Sequence, residues 1–121
     1  MAEGADVFCD EIILMYRKVY PGIKLECAIP HPNQSERWSD YSKARYDRIK
    51  NEADAITMIS QSYTRDCMFR RNRYMVDNSS VLIAVYDGQS SGTKYTVDYA
   101  IKKGLRCIII NPKTFEISFV N

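Results

Sequence analysis

From Val81 to Ile110 the chain reads as an apolar run, a Gly/Ser loop, an amphipathic segment, a glycine stop and a second apolar run. That order constrains the fold more than any other feature, because two parallel strands can be joined only through a long crossover, usually a helix. Neither Val81–Tyr86 nor Arg106–Ile110 alternates strictly between polar and apolar residues. Strands of that kind belong to a mostly parallel sheet covered on both faces.

The rest of the chain repeats the alternation. Residues from about Ala5 to Tyr20 set Ala5, Phe8, Ile12, Met15, Tyr16 and Val19 at helical spacing, and Pro21-Gly22 stops them. Ile23–Ile29 reads as a strand, followed by the turn-rich loop Pro30–Trp38. Ser39 or Asp40 is positioned to cap a helix running to about Ala53, with Tyr41, Ala44, Ile49 and Ala53 inward. Ala55–Ile59 is a strand, and a third helix spans roughly Arg65 to Asp77 with Met68, Asn72, Met75 and Val76 on one face. Thr93–Lys103 is the fourth helix, Gly104 its C′ residue, and Phe115–Val120 a terminal edge strand. The expectation is a single α/β domain over residues 1–121. It is Rossmann-like and three-layered, with a mostly parallel sheet of about four strands, flanking helices and a C-terminal edge strand. Ligands of such folds bind outside the C-terminal strand ends. That edge gathers Pro30–Trp38, Ser60–Thr64 and Asp87–Thr93.

Composition narrows the partners. The net charge is +2, so the total demands neither a nucleic acid nor an anionic membrane. The four cysteines are dispersed without a CxxC pair, and His31 is the only histidine, which argues against a zinc site. Cys27 and Cys107 sit in apolar runs, where a thiol behaves as a small buried hydrophobe. With no secretory leader and no apolar run near 18 residues, a reduced, cytoplasmic protein is expected.

The loop before the fourth helix carries the candidate site. Unpaired N–H groups at a helix start, backed by the positive end of the helix dipole, favour an anion. Gly88 and Gly92 allow close backbone approach, and Ser90, Ser91 and Thr93 add hydroxyls. The same residues also make an ordinary strand-to-helix turn. On the third helix, Arg71 falls beside the Met68/Asn72/Met75 face and is suited to clamp a phosphate, whereas Arg65, Arg70 and Arg73 read as a solvated face with ion pairs to Asp66 or Asp77. Asp87 fits a ribose contact, a Mg²⁺ ligand or a turn cap. His31, flanked by prolines and without a marked nucleophile, reads as an exposed loop histidine. Trp38, Tyr63 and Tyr86 are the aromatics placed to stack on a base.

Three stretches resemble the YpsA-like family of the Rossmann-like SLOG superfamily, which includes DprA/Smf and LOG proteins. Met1–Glu11, MAEGADVFCDE, is similar to its loop and acidic helix; Ala28–Trp38, AIPHPNQSERW, to its "P…Q…W" segment; and Arg70–Ala100 to its Arg-bearing helix, strand and Gly-rich phosphate loop. The resemblance implies that Gly88, Ser90, Ser91, Gly92 and Thr93 hold phosphate, that Arg71 clamps it, that Asp87 orients a ribose, and that the loop bearing Gln34 and Trp38 covers a base. In LOG enzymes a glutamate just after the Gly-Thr pair supports N-glycosidic cleavage. Here Gly92-Thr93 is followed by Lys94, Tyr95 and Thr96. The resemblance therefore implies binding of a nucleotide-like small molecule without turnover, as a sensor or a phage-type sequestering protein, with no cofactor, no metal and no membrane. The alternatives are a LOG-like N-glycosidase, with Asp98 or Asp87 in place of the glutamate, and a DprA-like nucleic-acid or protein-interaction module, for which the scattered arginines form no continuous basic stripe. The family normally begins with a further strand, helix and strand in the middle of its sheet. Met1 stands inside the motif that follows them, and a homo-oligomer is expected to repair the open edges.

Overall fold

A computed structural model describes residues 4–89 and 92–120. The elements run α1 (Ala5–Arg17), β1 (Glu26–Ile29), α2 (Asp40–Glu52), β2 (Ala55–Met58), α3 (Cys67–Asp77), β3 (Val81–Val85), α4 (Gly92–Lys102), β4 (Arg106–Ile110) and β5 (Ile117–Val120). They fall into two compact units, residues 1–67 and 68–121. The protein is α/β with the expected order of elements, but the expected sheet of about four strands is instead two sheets.

In the first unit β1 pairs with β2 in parallel, Cys27 opposite Ile56 and Ile29 opposite Met58. Ile59 N–H donates to the Ile29 carbonyl (2.9 Å) and Ser60 N–H to the Pro30 carbonyl (3.1 Å), carrying the pairing past both strand ends. Helix α2 makes the crossover. Ser39 is its cap, its hydroxyl accepting from the Ser42 N–H at 3.2 Å. The buried side chains of α2 are Tyr46 and Ile49, whereas Tyr41 is 73% exposed and Ala44 is also exposed. Ile49 faces inward as expected and Ala53 packs against the core, but the buried face takes in Tyr46, three residues before Ile49, instead of Tyr41 and Ala44. Val7, Leu14, Leu25, Cys27, Ile29, Tyr46 and Ile49 form one core.

Two carboxylates tie this unit together. Asp54 accepts from the Leu25 N–H (2.8 Å) and from Arg17 (2.9 Å), fixing the end of α1 to the start of β1. These bonds hold its carboxyl below the ordinary range, the Leu25 N–H most of all. Glu11 of α1 accepts from Arg45 Nε (3.1 Å) and Nη2 and from Arg48 (2.7 Å) of α2. A third carboxylate works against the fold. Burial, reinforced by the negative charge of Asp6 and then Glu11, pushes the Asp10 carboxyl up to about 7.

In the second unit β3 pairs with β4 in parallel, Val81 opposite Arg106 and Val85 opposite Ile110, and β5 joins β4 as an antiparallel edge strand. Helix α4 makes the crossover and packs on both parallel strands. It ends in a Schellman motif: Gly104 N–H donates to Ile101 and Leu105 N–H to Ala100, each at 3.0 Å, with Gly104 at φ +83°. Val76, Ala100, Leu105 and Cys107 form the core. Side chains alternate across the sheet, and Val81, Ile83, Val85, Ile117 and Phe119 are exposed. The expectation of a sheet covered on both faces is therefore not met here. The absence of strict alternation in Val81–Val85 reflects apolar side chains on both faces, not a helix on each.

Among the described residues the strands pair as β1–β2 and β3–β4–β5, which sequence pattern does not indicate because it marks strands but not their neighbours. Each crossover helix joins one consecutive pair, and α3 links β2 to β3 without pairing them.

Two outcomes follow. Gly104→Ala places a Cβ in open space but in the left-handed region, so it should lower stability by about 1 kcal/mol, read as a lower urea midpoint at unchanged slope. For Asp10, the folded state holds a proton between about pH 4 and pH 7 that the unfolded chain releases, so its contribution to stability falls as pH rises through that window. Asp10→Asn should exceed the wild type by about 1–2 kcal/mol at pH 8, allowing for solvent screening, with the gap closing by pH 4. A gap that does not change with pH would contradict this origin.

Candidate functional site

The turn that leaves β3 is built by its own side chains. Tyr86 N–H donates to the Ile110 carbonyl (2.9 Å), the last bond to β4. Asp87 then folds back, its Oδ1 accepting from the Gln89 N–H at 3.0 Å across Gly88, which sits at φ +93°. A residue with a Cβ is strained at that φ, which explains the glycine. The other oxygen of Asp87 pairs with Lys113 Nζ at 3.3 Å. The Gln89 N–H and then Lys113 hold the Asp87 carboxyl below the ordinary range, so it is charged at neutral pH. Of the three roles open to Asp87, the turn cap is the one its contacts display.

Lys113 was not singled out from the sequence. The signal existed: in a parallel pair the segments after both strands lie at the same sheet edge, and Lys113 follows β4 by three residues. Asn111 orients that segment, its Oδ1 accepting from the Lys113 N–H at 2.8 Å.

Helix α4 begins at Gly92, and both Gly92 and Thr93 are exposed. Ser90 and Ser91 lie outside the described residues. Thr96 hydroxyl donates back to the Gly92 carbonyl (3.0 Å), and Lys94 pairs with Asp98 at 2.7 Å. Asp98, the carboxylate nominated to replace a catalytic glutamate, is thus one helical turn beyond Lys94 and engaged by it.

Helix α3 carries Arg71. Its side chain is buried, 5% exposed, and Nε donates to Asn72 Oδ1 at 2.7 Å. Met68 and Met75, expected on the inward face, are exposed, while Val76 and Arg71 are buried. The helix axis was therefore rotated slightly in the expectation, toward the position that Arg71 occupies. Arg65 and Arg70 are exposed, as expected of a solvated face, whereas Arg73 is half-buried; Asp77 accepts from Tyr99 (2.8 Å) and pairs with Lys103 (3.9 Å), and Asp66 accepts from Thr64 (3.0 Å). Phe69 meets Tyr95 edge-on with centroids 4.8 Å apart. That contact, with Tyr99–Asp77, locks the arginine-bearing helix to α4.

Gln34 and Trp38 belong to the first unit, in the loop after β1. The loop is a chain of tight turns, with N–H donation from Gln34 to His31, from Glu36 to Asn33 and from Trp38 to Ser35. Trp38 is half-buried and lies edge-on to Tyr46 (5.1 Å), so its ring is engaged with the core. His31 is not exposed as expected but 8% exposed, with its ring against Tyr63 at 5.4 Å. Pro30, fully buried, precedes it and holds the chain beside β2 by accepting from the Ser60 N–H, whereas Pro32 is exposed. The structure thus brings Asp87, Gly88 and Lys113 together, sets Gly92 and Thr93 at the helix start that follows, and buries Arg71 on the helix docked beside it.

Three of the four cysteines are buried, and Cys9 is exposed. Cys27, Cys67 and Cys107 are buried and free, and burial pushes the Cys27 thiol up to about 11 with help from Asp10. Among the described residues there is no group of three or more His, Cys, Asp or Glu able to hold a metal ion, and no helix long and apolar enough to cross a membrane.

Comparison with known proteins agrees with the resemblance seen in the residues. The family model described as the YspA SLOG family, YpsA, matches residues 2–113. An uncharacterized SPbeta prophage-derived protein, YoqJ, of Bacillus subtilis (strain 168) is 33% identical over 113 residues, covering 84% of this chain and 66% of its own. A UPF0398 protein of Bacillus cereus (strain B4264) is 31% identical over 104 residues, covering 84% of this chain and 56% of its own. A UPF0398 protein of Bacillus pumilus (strain SAFR-032) is 29% identical over 100 residues, covering 80% and 54%. The chain spans between about half and two thirds of the length of these relatives, and with the family model matching nearly all of it, the chain belongs to the YpsA family of SLOG proteins.

Proposed function

We propose that this protein binds a nucleotide or nucleotide-derived ligand at the C-terminal end of β3 and does not turn it over. The observation that carries the reading is the junction from β3 to α4, where a side-chain-capped turn with Gly88 in the left-handed region leads into the exposed helix start at Gly92-Thr93. Such a start offers unpaired N–H groups to an anion. Ser90 and Ser91 add hydroxyls between them. Lys113, held at the same edge, offsets the negative charge of Asp87, and Arg71 supplies a guanidinium whose burial would sharpen its attraction for phosphate.

Binding without cleavage is favoured by what surrounds the loop. Lys94, Tyr95 and Thr96 take the places of a catalytic glutamate, and the nearest carboxylates, Asp87 and Asp98, are each paired with a lysine. The protein acts in the cytoplasm as a sensor or as a sequestering protein. The prophage-derived relative supports the second of these.

Thermal unfolding against a panel of mono-, di- and cyclic nucleotides tests the reading. Ligand at a hundred times Kd should add about 2.7 kcal/mol. Arg71→Ala should weaken the interaction about tenfold or more, through loss of charge-assisted bonds of about 1.5–3 kcal/mol. No shift with any nucleotide would sink the proposal, and release of free base from a nucleoside monophosphate would replace it with an enzyme.

A further inference from the structure

The hairpin between β4 and β5 turns on a residue that does not suit it. Asn111 opens the loop, its Oδ1 accepting from the Lys113 N–H (2.8 Å) and the Thr114 N–H (3.3 Å), and its carbonyl accepting from the Phe115 N–H (2.8 Å). The Glu116 carbonyl accepts from the Asn111 N–H (2.9 Å), and the Thr114 hydroxyl accepts from the Glu116 N–H (3.3 Å). This closure sets Phe115 at φ +62°, and among the described residues it is the one non-glycine with a positive φ. Hairpin loops often close on a left-handed residue, but that residue is ordinarily glycine. The ring is not among the ties of the loop: Phe115 is 79% exposed, more than any other large apolar residue described. A bulky side chain at such a φ is a genuine outlier, and backbone strain of this kind clusters at binding sites.

The place of the loop says what it could bind. Tyr86 N–H donates to the Ile110 carbonyl, so the chain leaves β3 for Asp87 beside the point where it leaves β4 for Asn111. Lys113, two residues before Phe115, reaches Asp87 at 3.3 Å. Strand β5 lies two strand spacings, about 10 Å, from β3, a span of the same order as that from the phosphate to the base of a nucleotide. We infer that the Phe115 ring is the platform on which the base of the bound nucleotide stacks while its phosphate sits at the β3–α4 loop. The inference rests on the ligand reading above and adds to it the residue that holds the base. A phenyl ring has no hydrogen-bonding group, so it holds a base by its π face and not by its edge pattern. Ile117 and Phe119 are exposed on β5 as well, but they stand on extended strand backbone that any apolar residue adopts, and a protein partner would use that strand face.

Calorimetric titration of the full chain with adenosine 5′-monophosphate, and with ribose 5-phosphate, which lacks the base, tests it. The wild type should bind the nucleotide at least about tenfold more tightly than the sugar phosphate. Phe115→Asn, which places a residue tolerant of this φ, should abolish that difference, leave the affinity for ribose 5-phosphate unchanged and raise the urea midpoint of the free protein. Phe115→Trp should keep the nucleotide affinity. Loss of both affinities together with a lower midpoint in Phe115→Asn would make the ring structural and overturn the inference. Equal affinity of the wild type for the two compounds, or unaltered nucleotide affinity in Phe115→Asn, would overturn it and leave the phosphate site standing; a change in mass by light scattering in that case would assign the ring to a protein contact. A wild type that binds neither compound would overturn it too, and a flat response to the whole nucleotide panel would take the ligand reading with it.

Discussion

Parallel pairing through a single helical crossover is the constraint on which the rest of this structure depends. It occurs twice, as β1–α2–β2 and as β3–α4–β4. Because parallel strands run the same way, the segments that leave them emerge at one edge, and chemistry accumulates there. In the first unit that edge holds Pro30, His31 and Ser60; in the second it holds the Asp87–Gly88 turn and Lys113. The Schellman close of α4 at Gly104 and the Asp54 clamp on Leu25 serve the same end, since each returns the chain into the next parallel strand at a defined register.

The electrostatics separate groups that build from groups that strain. Glu11 and Asp54 are held charged by arginines and backbone donors and bridge elements far apart in sequence. Asp10, on the same helix as Glu11, has burial and like charge around it, and favours its neutral form well above the ordinary carboxylate range. Asp87 is of the first kind. Its carboxylate closes a turn and holds a lysine, so the negative charge nearest the proposed phosphate loop is compensated before any ligand arrives.

Much of this was readable in the residues, and the failures share a cause. Element order and the caps at Ser39 and Gly104 came from local rules that act within a few residues. Helical spacing set Arg71 beside the Met68/Asn72/Met75 face of α3, but it did not show that Arg71 is buried while Met68 and Met75 are exposed. What local rules cannot carry is pairing between distant segments. Strand pattern named four parallel-type strands but not that they form two sheets. Tyr46 and His31 are buried by contacts with Trp38 and Tyr63, partners that no periodicity links to them. Lys113 meets Asp87 only because β3 and β4 are neighbours. Helix α1 misled in the opposite sense, since its most regular apolar stripe is the one that faces away from the core.

The central claim is a nucleotide phosphate held at the β3–α4 loop, and amide chemical shifts under titration with a nucleoside monophosphate address it most directly. The account predicts saturable shifts concentrated at the N–H groups of Gly88, Gln89, Gly92 and Thr93, with the Arg71 side chain responding in step. Saturable shifts confined to other parts of the chain, or none at millimolar nucleotide, would contradict it.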